Sequence, residues 1–355
     1  MLSALVTGGT GTVGVPLVNW LLKEGVGVTV LARPKKHSAE SIKRLFRGNV
    51  KILHGDTTEV LCGVTKLPNT VFDCMVHAAG FTQYHQHLTE KTHAINEVGT
   101  HNALALATEL DIPRFVFIST CYVAGNQPYL GEKDVGMVEN AHNPYESSKV
   151  RAEAAVRLWP GQKLILRLST IIGDSKTGEI AKAGGYAGFV KGFWPLQKGI
   201  LPYKDHPFLA GINPASTLNL LTSDWAVPMI FKAARSQLEG TIHLSHPKPV
   251  NLGHLFEETF HRWFPLPVTY DRLIAEKTAL YEDAAWKEIQ DSISALVEYF
   301  GPYVRQDTTF EHERAKLIEG YVPPPVVDDE VIRVQVQYML NHLFVKKPKL
   351  TAVAA

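Results

Sequence analysis

Thr7-Gly8-Gly9-Thr10-Gly11-Thr12-Val13-Gly14, TGGTGTVG in one-letter code, follows the strand-like run SALVT and opens a helix-period stretch. Gly8, Gly11 and Gly14 recur at three-residue intervals. Glycine lets a backbone turn sharply and approach a pyrophosphate, and the first turn of the following helix offers free N–H groups and positive potential. Such a triplet says little by itself. At the first βα turn of a chain it predicts a dinucleotide-binding α/β fold, in which Gly8, Thr10, Gly11, Thr12, Val13 and Gly14 cradle the phosphates.

Further along, the β-branched runs VGVTVLA, VKILHGD, DCMVHAA, RFVFIST and KLILRLS alternate with helix-period stretches as far as Gly173. That alternation marks βαβ units and a parallel sheet. We therefore expect a doubly wound parallel sheet with residues 1–173 as its Rossmann core. Residues 174–250 read as Gly/Pro-punctuated substrate loops interleaved with late sheet elements, including an Asp224-led helix and the strand-like TIHLSHP. Residues 251–355 read as a smaller, mostly helical substrate or lid region, interrupted by the proline run at Pro323 to Pro325 and ending in the basic tail around Lys346. In it Leu280, Ile289, Ile293, Leu296, Val297 and Phe300 follow one helical face, a stripe suited to core packing.

Composition narrows the partners. Over 355 residues, 36 Lys plus Arg nearly balance 35 Asp plus Glu, and 45% of residues are hydrophobic. A sizeable core is affordable, and nothing global points to nucleic acid or an anionic membrane. No run of 18 apolar residues or leader-like segment occurs. Cys62, Cys74 and Cys121 are odd in number, widely spaced and free of CxxC pairing, as expected of free thiols in a cytoplasmic protein.

The second strand runs into Ala32-Arg33-Pro34-Lys35-Lys36. An acidic residue there would bind the ribose 2′-hydroxyl of NAD, whereas arginine accommodates a 2′-phosphate, so Arg33 favours NADP(H) over the rival reading of a solvated basic loop. Asp56, with Thr57 beside it, follows the third strand and can accept from the adenine amino group. Ala78-Ala79-Gly80 follows the fourth strand and leaves room beside the cofactor.

Asn143-Pro144-Tyr145-Glu146-Ser147-Ser148-Lys149 puts a tyrosine four residues before a lysine, on one face of a helix. Taken in order, TGGTGTVG, HGD, HAAG, STCYVAG and NPYESSK give the first two-thirds of the chain a pattern that resembles the extended short-chain dehydrogenase/reductase family. ISTCYVAG, NPYESSKVRAE and GDSKTGE are most similar to its thioester reductase and fatty acyl-CoA reductase branch. The resemblance implies that Thr120 takes the catalytic Ser/Thr place, Tyr145 that of the acid/base, and Lys149 that of the group binding the nicotinamide ribose. Hydride delivery to a carbonyl builds negative charge on oxygen, so Tyr145 would donate a proton, Thr120 would orient, and the Lys149 cation would lower the tyrosine pKa from its usual value of about 10. The resemblance also makes Asp174 and Ser175 part of a loop shaping the substrate entrance.

Other residues carry competing readings. Tyr84-His85-Gln86-His87, with His93 and His101, lacks the carboxylate or thiolate that would complete a metal site, so no metal is expected and the loop with Tyr84 either borders the substrate pocket or faces solvent. Cys121 could be an acyl-accepting nucleophile, but strand alternation turns it away from Thr120 and favours a buried, inert thiol, with Tyr122 on the Thr120 face. Tyr186, Phe189, Phe193, Trp194, Tyr203 and Phe208 could line a pocket or pack in the core.

The reading reached is an NADPH-dependent reductase of a CoA- or carrier-bound acyl thioester or the derived aldehyde. Its rivals are a ketone or alcohol oxidoreductase acting on an apolar ring-bearing metabolite, a nucleotide-sugar epimerase, disfavoured by Arg33, and a non-catalytic dinucleotide sensor, disfavoured by the intact Thr120, Tyr145 and Lys149. The expected partners are small-molecule or carrier-bound substrates, without nucleic acid or a membrane span, and a homodimer is the commonest assembly for such chains.

Overall fold

A computed structural model describes residues 2–33, 39–196, 208–263, 268–270 and 283–344. Lys35, Lys36, Tyr203, Leu280 and the basic tail lie outside them.

Seven parallel strands form the central sheet: β1 (Ser3–Thr7), β2 (Gly27–Ala32), β3 (Lys51–His54), β4 (Cys74–His77), β5 (Arg114–Thr120), β6 (Gln162–Leu168) and β7 (Gly240–Leu244). Their order is β7-β6-β5-β4-β1-β2-β3. After β3 the chain crosses back to the other side of β1, so the direction of winding reverses between β1 and β4. At such a point the two flanking loops splay apart at the carboxyl ends of the strands, opening a crevice for ligand. Every residue of β5 is buried, as is β1 beyond Ser3. Strands covered on both faces need this continuous apolar character, which is why the runs read so plainly in the sequence.

The helices that matter to the site are α1 (Gly14–Lys23), α2 (Gly99–Glu109), α3 (Pro144–Leu158), α4 (Gly185–Phe193), α5 (Ser223–Arg235), α6 (Leu252–Trp263), α7 (Ala284–Tyr299) and α8 (Asp329–Tyr338). Leu17, Val18 and Leu21 of α1 and Trp225, Met229 and Ile230 of α5 share one core with the sheet. On the opposite face, Ala103 and Leu106 of α2 and Ala152 and Val156 of α3 pack against Phe115, Phe117 and Ile165.

A separate cluster is built from α4, α6, α7 and α8, where Phe189, Phe256, Phe260, Ile293, Val297 and Ile332 meet. The stripe foreseen on α7 is the face that enters this cluster: Ile289, Ile293 and Val297 are buried and Leu296 packs at its edge. The C-terminal segment also rejoins the first half of the chain. Thr309–Phe310 pairs in parallel with Tyr129–Leu130, and Ala315 and Ile318 enter the sheet core.

Candidate functional site

The glycine loop lies in the crevice between β1 and β4. Gly8 has φ +68°, and a Cβ there would fall 2.4 Å from the backbone of Ala78 and Ala79. A Cβ on Gly14 would fall 2.1 Å from the Gly8 carbonyl oxygen. Only glycine allows the two loops to approach this closely. Beneath them the Ala79 N–H donates to Thr7 Oγ1 at 3.2 Å, and His77 bridges Thr7 (2.7 Å) and Thr100 (3.1 Å). Complete burial pushes the His77 imidazole down to about 3, so it is a neutral strut.

Helix α1 starts at Val13 without a capping side chain and without an acid in its first turn. The Val15 and Leu17 N–H groups are bonded to the Gly11 and Val13 carbonyls and Pro16 has none, so an anion would meet the N–H groups from Thr12 to Gly14, where the glycine cradle gives a pyrophosphate the space to approach.

Along the same edge, Arg33 is exposed just past the end of β2 and shares an open cavity with His54, Gly55 and Asp56. Asp56 Oδ1 accepts from the Thr58 N–H and hydroxyl. Thr57 is buried, and its carbonyl accepts from Asn102. Gly8, Arg33, Asp56 and Ala78 to Gly80 therefore follow the carboxyl ends of the neighbouring strands β1, β2, β3 and β4.

Thr120 ends β5, and Asn143 starts α3 by accepting the Glu146 N–H at 3.1 Å, with Pro144 in the first turn. This cap fixes the entry of the helix and brings Tyr145 to the end of β5, where the hydroxyls of Thr120 and Thr82 lie near enough to its phenol to favour the ionised form. Thr120 Oγ1 also accepts from the Tyr122 N–H at 3.2 Å.

Lys149, one turn on, is buried. Its ammonium donates to the Ile118 carbonyl at 2.7 Å and lies 4.0 Å from the Phe117 ring centroid. Glu153, the next carboxylate on that face, is already taken by Arg167 at 2.7 and 2.9 Å and by Arg157 at 3.0 Å. Burial without a dedicated counter-charge pushes Lys149 down to about 7.

Here the structure corrects one expectation. The Tyr145 phenol is pushed up to about 12, because burial outweighs the pull of the nearby Thr120 and Thr82 hydroxyls. The lysine that was to lower it points to the backbone of β5 instead. A phenol that keeps its proton through neutrality is suited to donate it.

Next to Tyr84, whose ring lies against Tyr145, is a chamber of about 50 Å³ whose lining among the described residues includes Tyr84, Tyr122, Tyr186, Phe189, Phe256 and Tyr303 and no charged side chain. Tyr84 packs between Tyr145 (ring centroids 6.0 Å), Tyr299 (5.1 Å) and Tyr303 (5.1 Å). Tyr122 reaches Thr170 with its hydroxyl at 3.0 Å, and Tyr186 reaches Thr259 at 2.6 Å. Of the aromatics weighed from the sequence, Phe189 lines the chamber, Phe193 packs behind it on Phe260 at 4.6 Å, and Trp194 stacks on Phe344 at 5.3 Å. Phe208 lies in a short strand.

Asp174 and Ser175 are not brought to this chamber. Asp174 closes its own turn by accepting from the N–H groups of Lys176 and Thr177, and Ser175 donates to Asp224. Asp174 faces a different cleft, shared with Thr12, Asn19 and Trp20. Cys121 is buried for a reason other than strand alternation. β5 stops at Thr120, and Cys121 begins a 3₁₀ turn in which its thiol donates to the Arg167 carbonyl at 3.3 Å. All three cysteines are free and buried. His93 pairs with Glu97 at 2.6 Å, and His85 stacks on Tyr299 at 4.3 Å. Among the described residues no group of three or more His, Cys, Asp or Glu could hold a metal ion, and no helix is long and apolar enough to cross a membrane.

Three residues escaped the sequence reading: Thr82, Tyr299 and Tyr303. Thr82 lies three residues past the alanine pair and carries no spacing signal. The tyrosines come from a segment more than 150 residues downstream of Tyr145, so only folding shows that they belong to the site.

Residues 6–227 match the family described as male sterility protein, an NAD-binding family. The chain belongs to this family, a branch of the extended short-chain dehydrogenases/reductases, whose members are NAD(P)-dependent oxidoreductases. Among solved structures it resembles the terminal R domain from the myxalamid PKS-NRPS biosynthetic pathway, with a TM-score of 0.74 at 21% identity, covering 98% of this chain and 92% of that one. A thiolation-reductase di-domain from an archaeal non-ribosomal peptide synthetase gives 0.74 at 18% identity, covering 96% and 75%. At these identities the likeness establishes the fold. Curated relatives include a UDP-glucose 4-epimerase of Yersinia enterocolitica, 26% identical over 44% of this chain and 48% of its own length. A human dTDP-D-glucose 4,6-dehydratase is 28% identical over 49% and 53%. The chain spans about half the length of these curated relatives.

Proposed function

We propose that this protein is an NADPH-dependent reductase that acts on the carbonyl of an acyl thioester, bound to CoA or a carrier protein, or on the aldehyde derived from it. The observation that carries the proposal is the Tyr145 phenol, which burial keeps protonated beside Thr120 and Thr82, with its ring against Tyr84 on the wall of a chamber without charge. The glycine loop and Lys149 would hold a reduced nicotinamide cofactor, which would supply the hydride. As negative charge grows on the carbonyl oxygen, Thr120 and Thr82 stabilise it and Tyr145 delivers its proton. With a thioester, the tetrahedral product then expels its thiol and leaves an aldehyde.

Lys149 lies one helical turn from Tyr145, so its ammonium can turn from the Ile118 carbonyl to the nicotinamide ribose. Arg33 supports the phosphorylated cofactor because its exposed guanidinium has no partner among the described residues at the end of β2, where the sequence places no acid to receive a 2′-hydroxyl. The likeness to a thiolation-reductase di-domain supports carrier delivery.

A second reading, reduction of a ketone on an apolar ring, is favoured by the aromatic walls of the chamber. One assay separates the two: loss of NADPH absorbance with octanoyl-CoA, benzoyl-CoA, octanal and cyclohexanone. Thioester and aldehyde turnover supports the first reading, ketone turnover alone supports the second, and turnover that runs only with NADH overturns the cofactor assignment.

A further inference from the structure

Glu146 follows the proton donor directly in sequence, and its carboxylate is buried, with 1% exposure. One oxygen accepts from the His142 N–H at 2.7 Å and faces His142 Nδ1 at 3.1 Å. The other accepts from Asn143 Nδ2 at 3.3 Å and from the hydroxyl of Tyr303. Three of these donors belong to the turn that starts α3. The fourth comes from the short helix Gly301–Arg305, on the far side of the chamber.

Tyr303 thus holds two positions at once. Its hydroxyl is bonded to the first turn of the helix that carries Tyr145, and also accepts from Asn143 Nδ2 at 2.8 Å, the residue that caps that helix. Its ring forms chamber wall, with centroids 5.1 Å from Tyr84 and 4.8 Å from Tyr122. Tyr84 in turn touches Tyr145. An occupant of the chamber must press on the Tyr303 ring, and the ring cannot shift without pulling on the cap of α3.

We infer that Tyr303 is a positioning residue: through the buried Glu146 carboxylate it fixes the turn that aims the Tyr145 phenol, so that the wall of the acyl chamber and the proton donor move as one unit. A buried carboxylate is an expensive group to keep unless its acceptor sites are filled, and filling one of them from a distant segment is a strong constraint on where that segment sits. The inference rests on the reading of Tyr145 as proton donor.

The test compares wild type, Tyr303→Phe, Glu146→Gln, the double variant and Tyr145→Phe, with NADPH and the fastest of the four carbonyl probes named above. Tyr303→Phe keeps the ring and the chamber wall and removes only the hydroxyl. It is expected to lower kcat by roughly ten- to a hundredfold, the scale of a misaimed catalytic group, with KM and NADPH affinity within about twofold of wild type. Glu146→Gln, whose amide cannot accept on both sides at once, is expected to lower kcat in the same direction, and the double variant to be no worse than the worse single one, because both loosen the same link. Glu146→Gln also stands in should Tyr303→Phe fail to fold, as judged by its melting curve.

An unchanged kcat in both single variants, or a raised KM at constant kcat, overturns the inference and leaves Tyr303 as wall alone, while loss of turnover in Tyr145→Phe keeps the proton-donor reading intact. Full turnover by Tyr145→Phe, or a wild type inactive on every probe, removes that reading and this one together.

Discussion

Replacing Lys149 with methionine should make the protein more stable and abolish its function. Lys149 is 4% exposed, its nearest carboxylate is committed to two arginines, and its ammonium holds one carbonyl and one aromatic face. Burial lowers its pKa from 10.5 to about 7. At about 1.36 kcal/mol per pH unit, that interval converts to about 5 kcal/mol at most, reduced by relaxation around the charge to a few kcal/mol.

The sign follows from proton binding. Between about 7 and 10.5 the unfolded lysine holds a proton that the folded one has released. Stability therefore rises with pH across this window, is complete above 10.5, and is lost as pH falls to about 7. Lys149→Met removes the titration. At pH 7 the variant should gain about 1 to 3 kcal/mol after the lost cation–π contact and hydrogen bond are deducted, and the gain should shrink by pH 9.5. Urea unfolding of both proteins at half-unit pH steps gives the difference curve, in which the other titrating groups cancel. A difference that is flat with pH, or a variant less stable at pH 7 than at pH 9.5 relative to wild type, refutes the reasoning. Turnover should fall by about a hundredfold or more at every pH, a trade of stability for function.

Tyr145→Phe should leave NADPH binding, read by fluorescence, unchanged and lower turnover by about a hundredfold or more, and retained turnover excludes the phenol as donor. Arg33→Ala should weaken NADPH by about 1.5 to 3 kcal/mol and NADH hardly at all in parallel titrations, and equal loss for both would deny it the 2′-phosphate. Gly8→Ala would force a Cβ to within 2.4 Å of the Ala78 backbone at φ +68°. It should weaken both cofactors alike by tenfold or more while the sheet still folds, and unaltered binding would show that the crevice is not where the pyrophosphate lies.

The glycine loop, the strand runs and the Tyr145-Lys149 pair were legible because each depends on local geometry: a turn that only glycine permits, strands buried on both faces, two side chains one helical turn apart. The pKa of Tyr145 was not legible. It is decided by how much low-dielectric surroundings the fold packs around the phenol and by where the Lys149 ammonium finds its partner, neither of which spacing reveals. The loop at Asp174 misled for a related reason, since a motif fixes a turn but not the cleft it faces. Tyr299 and Tyr303 were invisible because a contact between residues so far apart in sequence exists only once the second hydrophobic cluster has assembled.

That cluster leads to the last prediction. The helices α4 and α7 pack on each other, with Leu296 set against Gly192, and α7 ends in Tyr299 and Phe300, which close on Tyr84 beside the proton donor. We propose that the segment covers the carboxyl edge of the sheet, where it would keep water from a reaction that gains from a low dielectric. A cover built from side chains that touch the substrate rather than the cofactor should respond to the substrate alone. Hydrogen exchange with NADPH by itself is expected to protect the amides around Gly8 to Gly14 and Arg33. Adding a non-reactive acyl analogue should then protect Ala284–Tyr299 and Gly185–Phe193 by a further severalfold, because those helices lose openings that the filled chamber no longer allows. Protection of the two helices by NADPH alone would make them part of the cofactor site. No change with either ligand, together with wild-type turnover in Leu296→Ala, would leave them as packing and defeat the idea of a cover.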